Sequence, residues 1–362
     1  MSINGAINAN GGHHGARKRK LERTRIGVVG CGYWGPNLIR NFHAIPEVEM
    51  AVCCDADTER LQRMQTLYPT VEVTTDIEEV LCADVDAVAI ATPVSTHYPL
   101  AKHCLEAGKH VMIEKPMTGS VTEAEALIQT AEEHNRVLMV GHTFEYTASV
   151  NKIKEIIDSG ELGEILYVSS TRVNLGLFQK DINVVWDLAP HDISIILYVL
   201  GQEPVAVNAQ GSAHFREGIQ DVASTTLTFD GDTIAFLHHS WLDPNKIRKM
   251  VFVGSKKMLV YDDINPNEKL KIFDKGVDVP NYYDSFAEFH YSYRYGDIYI
   301  PRVEEYEPLR RECSHFVDCV REGESPVSDG HSGLRVIRIL EGATKSMEKD
   351  GAAVRLTELV AK

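Results

Sequence analysis

The sequence predicts an α/β chain in two parts, a doubly wound parallel sheet followed by an α+β region with a large, mostly antiparallel open sheet. Three observations predict it. Apolar runs of strand length alternate with amphipathic helices from Arg25 to about residue 142, and that rhythm then gives way to long stretches of β character. At 362 residues the chain also exceeds what one ordinary core organises. The expected divisions are a disordered basic tail at 1–23, a first domain at 24–142 and a second at 143–362.

In the first part, "RIGVVGCGYWGPNLIRNF" reads as a buried strand, a glycine turn and a helix, and "VEMAVCCDAD" as a second strand ending in acids. "DVDAVAIATP" and "HVMIEKP" are further strands, with "HYPLAKHCLEAG" between them as a helix closed by Gly108. The helix "VTEAEALIQTAEEHN" then precedes the strand "VLMVGH". Strands and helices that alternate at this length imply a parallel sheet with right-handed crossovers.

In the second part, "TASVNKIKEIIDSGELG" and the segment at 187–200 read as helices. "PVAVNAQGSAHF", "VASTTLTFDGDTIAFLHHSW", "RKMVFVGSKKMLVYDD" and "KLKIFD" read as strands, with hairpin turns at Asp230-Gly231 and Gly254-Ser255. Two amphipathic helices close the chain. The strands between 204 and 274 present more apolar surface than two helices can cover, so a homodimer or homotetramer through that sheet is expected.

Composition narrows the function classes. No apolar run has the length of a membrane span and the N-terminus lacks a signal peptide's apolar core, so a cytoplasmic protein without a membrane partner is expected. The formal charge is −15; residues 1–25 carry six Lys/Arg and one Glu, a net +5, which leaves −20 on the remainder. Such an acidic body repels nucleic acid. Seven cysteines, at 31, 53, 54, 82, 104, 313 and 319, contain no CxxC pair, which fits reduced thiols rather than a disulfide framework or a zinc site, and no metal is expected.

Gly30-Cys31-Gly32-Tyr33-Trp34-Gly35 is a GxGxxG turn that follows a strand and opens a helix, with Asp55 ending the next strand 20 residues after Gly35. That context is what a dinucleotide requires. Glycines let the backbone approach the pyrophosphate, a helix N-terminus stabilises its charge, and a carboxylate takes the ribose hydroxyls. Asp55, with Asp57 nearby, accepts from a free 2′-hydroxyl and repels a 2′-phosphate, so NAD is favoured over NADP, although Arg60 stands one turn into the next segment. "ATPVSTH" (91–97) and "EKP" (114–116) fall at the C-terminal ends of strands, where open α/β sheets place ligands.

The glycine loop, TPxxxH, EKP and the later "DLAPHD", in this order, resemble the glucose-fructose oxidoreductase, inositol dehydrogenase and MocA-type oxidoreductases over nearly all of the chain after the tail. The resemblance implies a Rossmann domain, a C-terminal domain with a large open sheet, and NAD(P)-dependent oxidation or reduction of a sugar or cyclitol carbon. It implies that Lys115 touches nicotinamide and substrate hydroxyl, that Asp187 and His191 form the Asp-x-x-x-His pair with the histidine as acid/base, that Thr92, Pro93 and His97 line the cofactor, and that Glu114 lies beside the ribose. Ala189-Pro190 replaces the glycine usual between Asp187 and His191.

The same residues suit the chemistry on general grounds. Oxidising a secondary alcohol needs a base of suitable pKa, which His191 supplies. Asp187, four residues earlier, shares its helix face and can orient the imidazole or the sugar, and it can also cap the helix. Lys115 favours developing alkoxide by electrostatics. Arg172, Asn174 and Tyr146 are candidates for substrate contact, and Arg172 and Asn174 read equally well as structural strand residues. Glu145 is a neighbour of the nicotinamide pocket, while His142, His238 and His239 read as structural. "GYWGPNLIRNF" and "WDLAPHDISI" look most like the branch of nucleotide-sugar 3-dehydrogenases, which points to C3 of a UDP-sugar such as UDP-N-acetylglucosamine or its uronate. A dehydrogenase of free or phosphorylated sugars or inositols, an NAD-dependent glycosidase and a non-catalytic sensor are the rivals.

Overall fold

The computed structural model describes residues 23–278 and 292–359, so all but the last residue of the basic tail lies outside the described residues. The first part runs β1 (Thr24–Val29), α1 (Gly35–His43), β2 (Val48–Cys54), α2 (Thr58–Leu67), β3 (Glu72–Thr74), α3 (Ile77–Cys82), β4 (Ala87–Ile90), α4 (Val94–Glu106), β5 (His110–Glu114), α5 (Val121–Glu133) and β6 (Leu138–Gly141). The six strands pair in parallel in the order β3-β2-β1-β4-β5-β6. Their sequences are unbroken apolar runs because both faces are covered. Ile26 and Val28 pack with Leu38, Ile39 and Phe42 of α1, while Val29 faces Ala101 and Leu105 of α4 on the other side. Asp57, Asp76 and Ser120 cap α2, α3 and α5 by accepting backbone N–H groups, which fixes where those helices begin.

A 3-10 turn at Thr143–Tyr146 leads to α6 (Ala148–Asp158), β7 (Ile165–Val173), α7 (Val184–Leu200), β8 (Ala206–Ser212), β9 (Val222–Thr228), β10 (Ile234–Ser240), β11 (Ile247–Gly254), β12 (Met258–Asp262), β13 (Leu270–Asp278) and β14 (Ser292–Tyr299). Helices α8 (Pro308–Glu322) and α9 (Gly330–Met347) and the short β15 (Val354–Arg355) follow. The nine strands form one sheet, β14-β13-β12-β11-β7-β10-β9-β8-β15, antiparallel except where β10 lies parallel to β7. Both expected hairpins form: Gly231 turns with φ +78° between β9 and β10, and Gly254 N donates to Lys257 O at 3.0 Å between β11 and β12.

Alternation along β10 buries Ala235, Leu237 and His239 toward the helices and leaves Phe236 and His238 on the opposite face. The two closing helices do not both stay with the second sheet: α9 packs on β8, where Ser346 Oγ accepts Ala209 N, and also reaches α5 of the first domain, while α8 leaves. Helix α8 returns to the first domain, where Leu309, Cys313, Phe316 and Val317 join the core of α1 and Phe316 meets Phe42 ring to ring at 6.3 Å. Ser328, in the loop before α9, bonds β6 through Val140 N and O. The division at residue 142 is thus a change of sheet, and the chain's last helices tie the two sheets together.

Candidate active site

The ends of β1, β4 and β5 in the parallel sheet carry the candidate residues, and Lys115, after β5, reaches the first turn of α7. At the switch point between β1 and β4, Gly30 has φ +95°, and a Cβ there would lie 2.6 Å from Ala91 O; a Cβ on Gly35 would lie 1.8 Å from Gly30 O. Only glycine fits either place, and the cradle so formed at the N-terminus of α1 fits a dinucleotide's pyrophosphate. Tyr33, 90% exposed, and Trp34, the N-cap of α1, complete the loop.

Asp55 is buried against this loop. Its carboxylate accepts Cys31 N at 2.6 Å and Asp57 N at 2.9 Å, so it also shapes the glycine turn. Arg60 lies across it, 3.7 Å from Asp55 and 3.3 Å from Asp57, held in a local ion pair by two carboxylates. His97 is buried beneath the next loop. Its ring nitrogens stand 2.8 Å from Thr92 O and 2.8 Å from Pro116 O. Burial holds its pKa down, so the neutral ring donates to one of the two carbonyls and pins the Thr92-Pro93 turn to the EKP turn.

Lys115, at the end of β5, crosses to the second domain. Its Nζ donates to Asp187 O at 3.1 Å. Pro190, inside α7, has no N–H to give the neighbouring carbonyl, Trp186 O. Burial lowers the Lys115 pKa, opposed by Asp187 and Glu114 and aided by Arg172 and Arg248. Glu114, whose carboxylate lies 3.0 Å from where a Cβ on Gly141 would sit, is pushed up to about 7 by burial against the pull of Lys115.

Two expectations about α7 are corrected. Asn183 caps the helix, accepting Val185 N and Trp186 N at 3.1 Å each, and Asp187 sits in the first turn. The Asp187 carboxylate does not bond His191; its Oδ2 accepts Trp241 Nε1 at 2.9 Å. What fixes the His191 ring is packing: Phe144 meets it edge to face at 5.1 Å, and the Arg172 guanidinium lies over the Phe144 ring at 4.8 Å. Burial first, then Lys115, Arg172, Arg248 and His142, holds the His191 pKa well below 6.5, so the imidazole is neutral at physiological pH.

The other candidates are placed differently. Arg172 is buried, its Nη2 2.6 Å from Asp192 Oδ1, while His239 Nε2 takes Asp192 Oδ2 at 3.0 Å. The guanidinium acts inside the wall of the site, because an unpaired cation there would carry a large desolvation cost. Tyr146 faces away, its hydroxyl 3.1 Å from Ser328 Oγ in the core of the first domain, and Glu145 is buried near Arg335 with its pKa raised to about 8 by burial. Asn174 stays beside the cleft, next to Gly176 and Trp241. The residues the sequence reading missed are Phe144 and Trp241. His142, read as structural, is buried directly after β6 with neither ring nitrogen hydrogen-bonded. The missed signal was an aromatic residue just past a strand end, in "GHTF" and "HHSW".

Two family models match the chain. Residues 24–142 match the Gfo/Idh/MocA model described as "Oxidoreductase family, NAD-binding Rossmann fold", and residues 150–260 match the "GFO/IDH/MocA C-terminal domain". The chain belongs to the Gfo/Idh/MocA oxidoreductase family. It is an NAD(P)-dependent oxidoreductase, and residues 24–142, which carry the strand-end cradle, are its NAD-binding Rossmann domain. UDP-N-acetylglucosamine 3-dehydrogenase of Acidithiobacillus ferrooxidans is 28% identical over 325 residues, 86% of this chain and 94% of the relative. The scyllo-inositol 2-dehydrogenase (NADP(+)) of Bacillus subtilis is 27% identical over 359 residues, 92% and 96% of the two chains. The solved structure of the Acidithiobacillus enzyme superposes with a TM-score of 0.74 at 26% identity, over 90% of this chain and 98% of that one.

Proposed function

We propose that this oxidoreductase oxidises a secondary alcohol of a sugar, at C3 of a UDP-sugar such as UDP-N-acetylglucosamine or its uronate, with NAD as the preferred cofactor. The observation that carries the reading is the junction of Lys115 with the first turn of α7, which sets a cation and a neutral imidazole on opposite domains of one cleft. His191 takes the hydroxyl proton, and Lys115 stabilises the alkoxide that develops. The Asp187 carboxylate, held by Trp241, accepts from a neighbouring sugar hydroxyl. A bound nicotinamide dinucleotide supplies the hydride acceptor. In the opposite direction the same groups reduce a ketone. Thr92, Pro93, Glu114 and the loop Gly30–Gly35 hold the cofactor, and Asp55 meets the free ribose hydroxyls. The two carboxylates at Asp55 and Asp57 outnumber the single guanidinium of Arg60, which supports NAD over NADP.

The seven free thiols, six of them buried, support a cytoplasmic setting. The outer face of the nine-stranded sheet, with Tyr167 and Phe236 exposed, supports a homodimer or homotetramer. An inositol as substrate is the second reading, supported by the near-equal likeness to the inositol dehydrogenase.

The test is anaerobic incubation with NAD or NADP and a panel of sugars, inositols and nucleotide sugars. Absorbance of reduced nicotinamide and a mass loss of two hydrogens are the readouts. The reading expects turnover of a UDP-sugar with NAD, abolished in His191→Ala. Turnover that His191→Ala and Lys115→Ala leave unchanged would sink the assignment.

A further inference from the structure

Beyond the catalytic cleft, the loop after β7 and the loop between β8 and β9 enclose an open cleft of about 250 Å³. That is just under the lower end of the range of about 300–1,000 Å³ usual for whole small-molecule sites, a size for part of a ligand. Its walls carry large apolar side chains in water: Phe215 is 70% and Phe178 40% exposed, and Leu177, on the same loop, is 81% exposed. Their rings stand 5.2 Å apart at 69°. Contiguous exposed aromatics of this kind mark a binding surface. Lys180 and Arg216 line the same cleft, and neither is ion-paired among the described residues.

The cleft is also built into the catalytic machinery. Phe178 packs on Trp241 at 5.5 Å, and Trp241 is the residue that bonds Asp187. Asp221 holds the Phe215 loop from beneath: its carboxylate accepts His214 N and Phe215 N, while its carbonyl accepts Trp241 N at 2.9 Å. Gln220 O accepts Val184 N, so the same loop is fastened to the start of α7. A continuous row of rings, Phe215, Phe178 and Trp241, therefore runs from solvent to the catalytic carboxylate.

We propose that this cleft binds the nucleoside diphosphate of a nucleotide-sugar substrate. The base stacks on the open face of Phe215, the diphosphate lies at Lys180 and Arg216, and the sugar extends past Phe178 toward Asp187, whose carboxylate the buried Trp241 holds. The acids beside these cations do not oppose the assignment: Asp181 and Glu217 do not line the cleft, and the Asp221 carboxylate is taken up by its own loop. This inference rests on the reading of the site as a sugar dehydrogenase, and it names the part of the substrate that free sugars and inositols lack.

The test uses the protein saturated with NAD, so that the dinucleotide site is filled, and titrates UDP, uridine and inorganic pyrophosphate by calorimetry. UDP should bind more tightly than either fragment. Phe215→Ala should weaken UDP about tenfold or more, and Lys180→Ala/Arg216→Ala should weaken UDP and pyrophosphate while flattening the salt dependence. NAD affinity and melting temperature should be unchanged, because the substituted side chains stand in solvent. No UDP binding at millimolar concentration, or wild-type affinity in both variants, overturns the proposal. Turnover of a UDP-sugar at wild-type kcat/KM in Phe215→Ala would overturn the cleft while leaving the dehydrogenase reading intact. UDP binding that depends on Phe215, without hydrogen loss from any nucleotide sugar, would support the cleft and overturn the reaction.

Discussion

At the scale of single residues, the site is organised by positive charge around a neutral base. Lys115 and Arg172 both depress the His191 pKa, so removing either cation raises it. Lys115→Met should therefore lower kcat by about 10²–10³-fold, as for loss of an oxyanion-stabilising donor, and also move the acid limb of kcat/KM to higher pH. The sign follows from the imidazole: a base whose pKa rises is protonated, and inactive for oxidation, over more of the acid range. A pH–rate profile of the variant checks it, and a limb that stays in place or moves down would contradict the electrostatic account. The sequence nominated the residues proposed to react. It did not show that Phe144 fixes the His191 ring or that Trp241 holds Asp187, because both contacts join segments far apart in the chain.

At the scale of elements, the turns carry the function. Gly30→Ala meets both a positive φ and the Ala91 carbonyl, so the loop must move. We expect dinucleotide affinity to fall beyond detection by fluorescence titration while the sheet persists by circular dichroism. Helix α8 carries stability. Phe316 is fully buried against α1, and Phe316→Ala should cost about 3–5 kcal/mol by denaturant unfolding. A cost near zero would mean that α8 is not part of the first core. The composition of α8 announces an amphipathic helix, but the partner of its apolar face could not be read from it.

At the scale of the whole molecule, one face of the large sheet exposes apolar side chains among the described residues. Phe236 is 46% exposed beside Tyr167 on that face, and a charge placed there should split an assembly formed through it. Phe236→Lys should lower the mass measured by light scattering from that of an oligomer toward that of one chain. An unchanged mass would move the interface elsewhere.

The sequence by itself determined the α/β rhythm, the two kinds of sheet and the Rossmann domain, and it nominated the glycine cradle and Lys115, Asp187 and His191 for the chemistry. These rest on local signals: apolar periodicity, glycines where no Cβ fits, and strand-end motifs. The tertiary structure decided where the last helices go, which groups orient the base, that Arg172 is held by Asp192 and that Tyr146 faces Ser328. Those outcomes depend on desolvation and on contacts between distant segments. A buried cation must find its counter-charge and an apolar helix face its core, and neither requirement names the partner until the chain has folded.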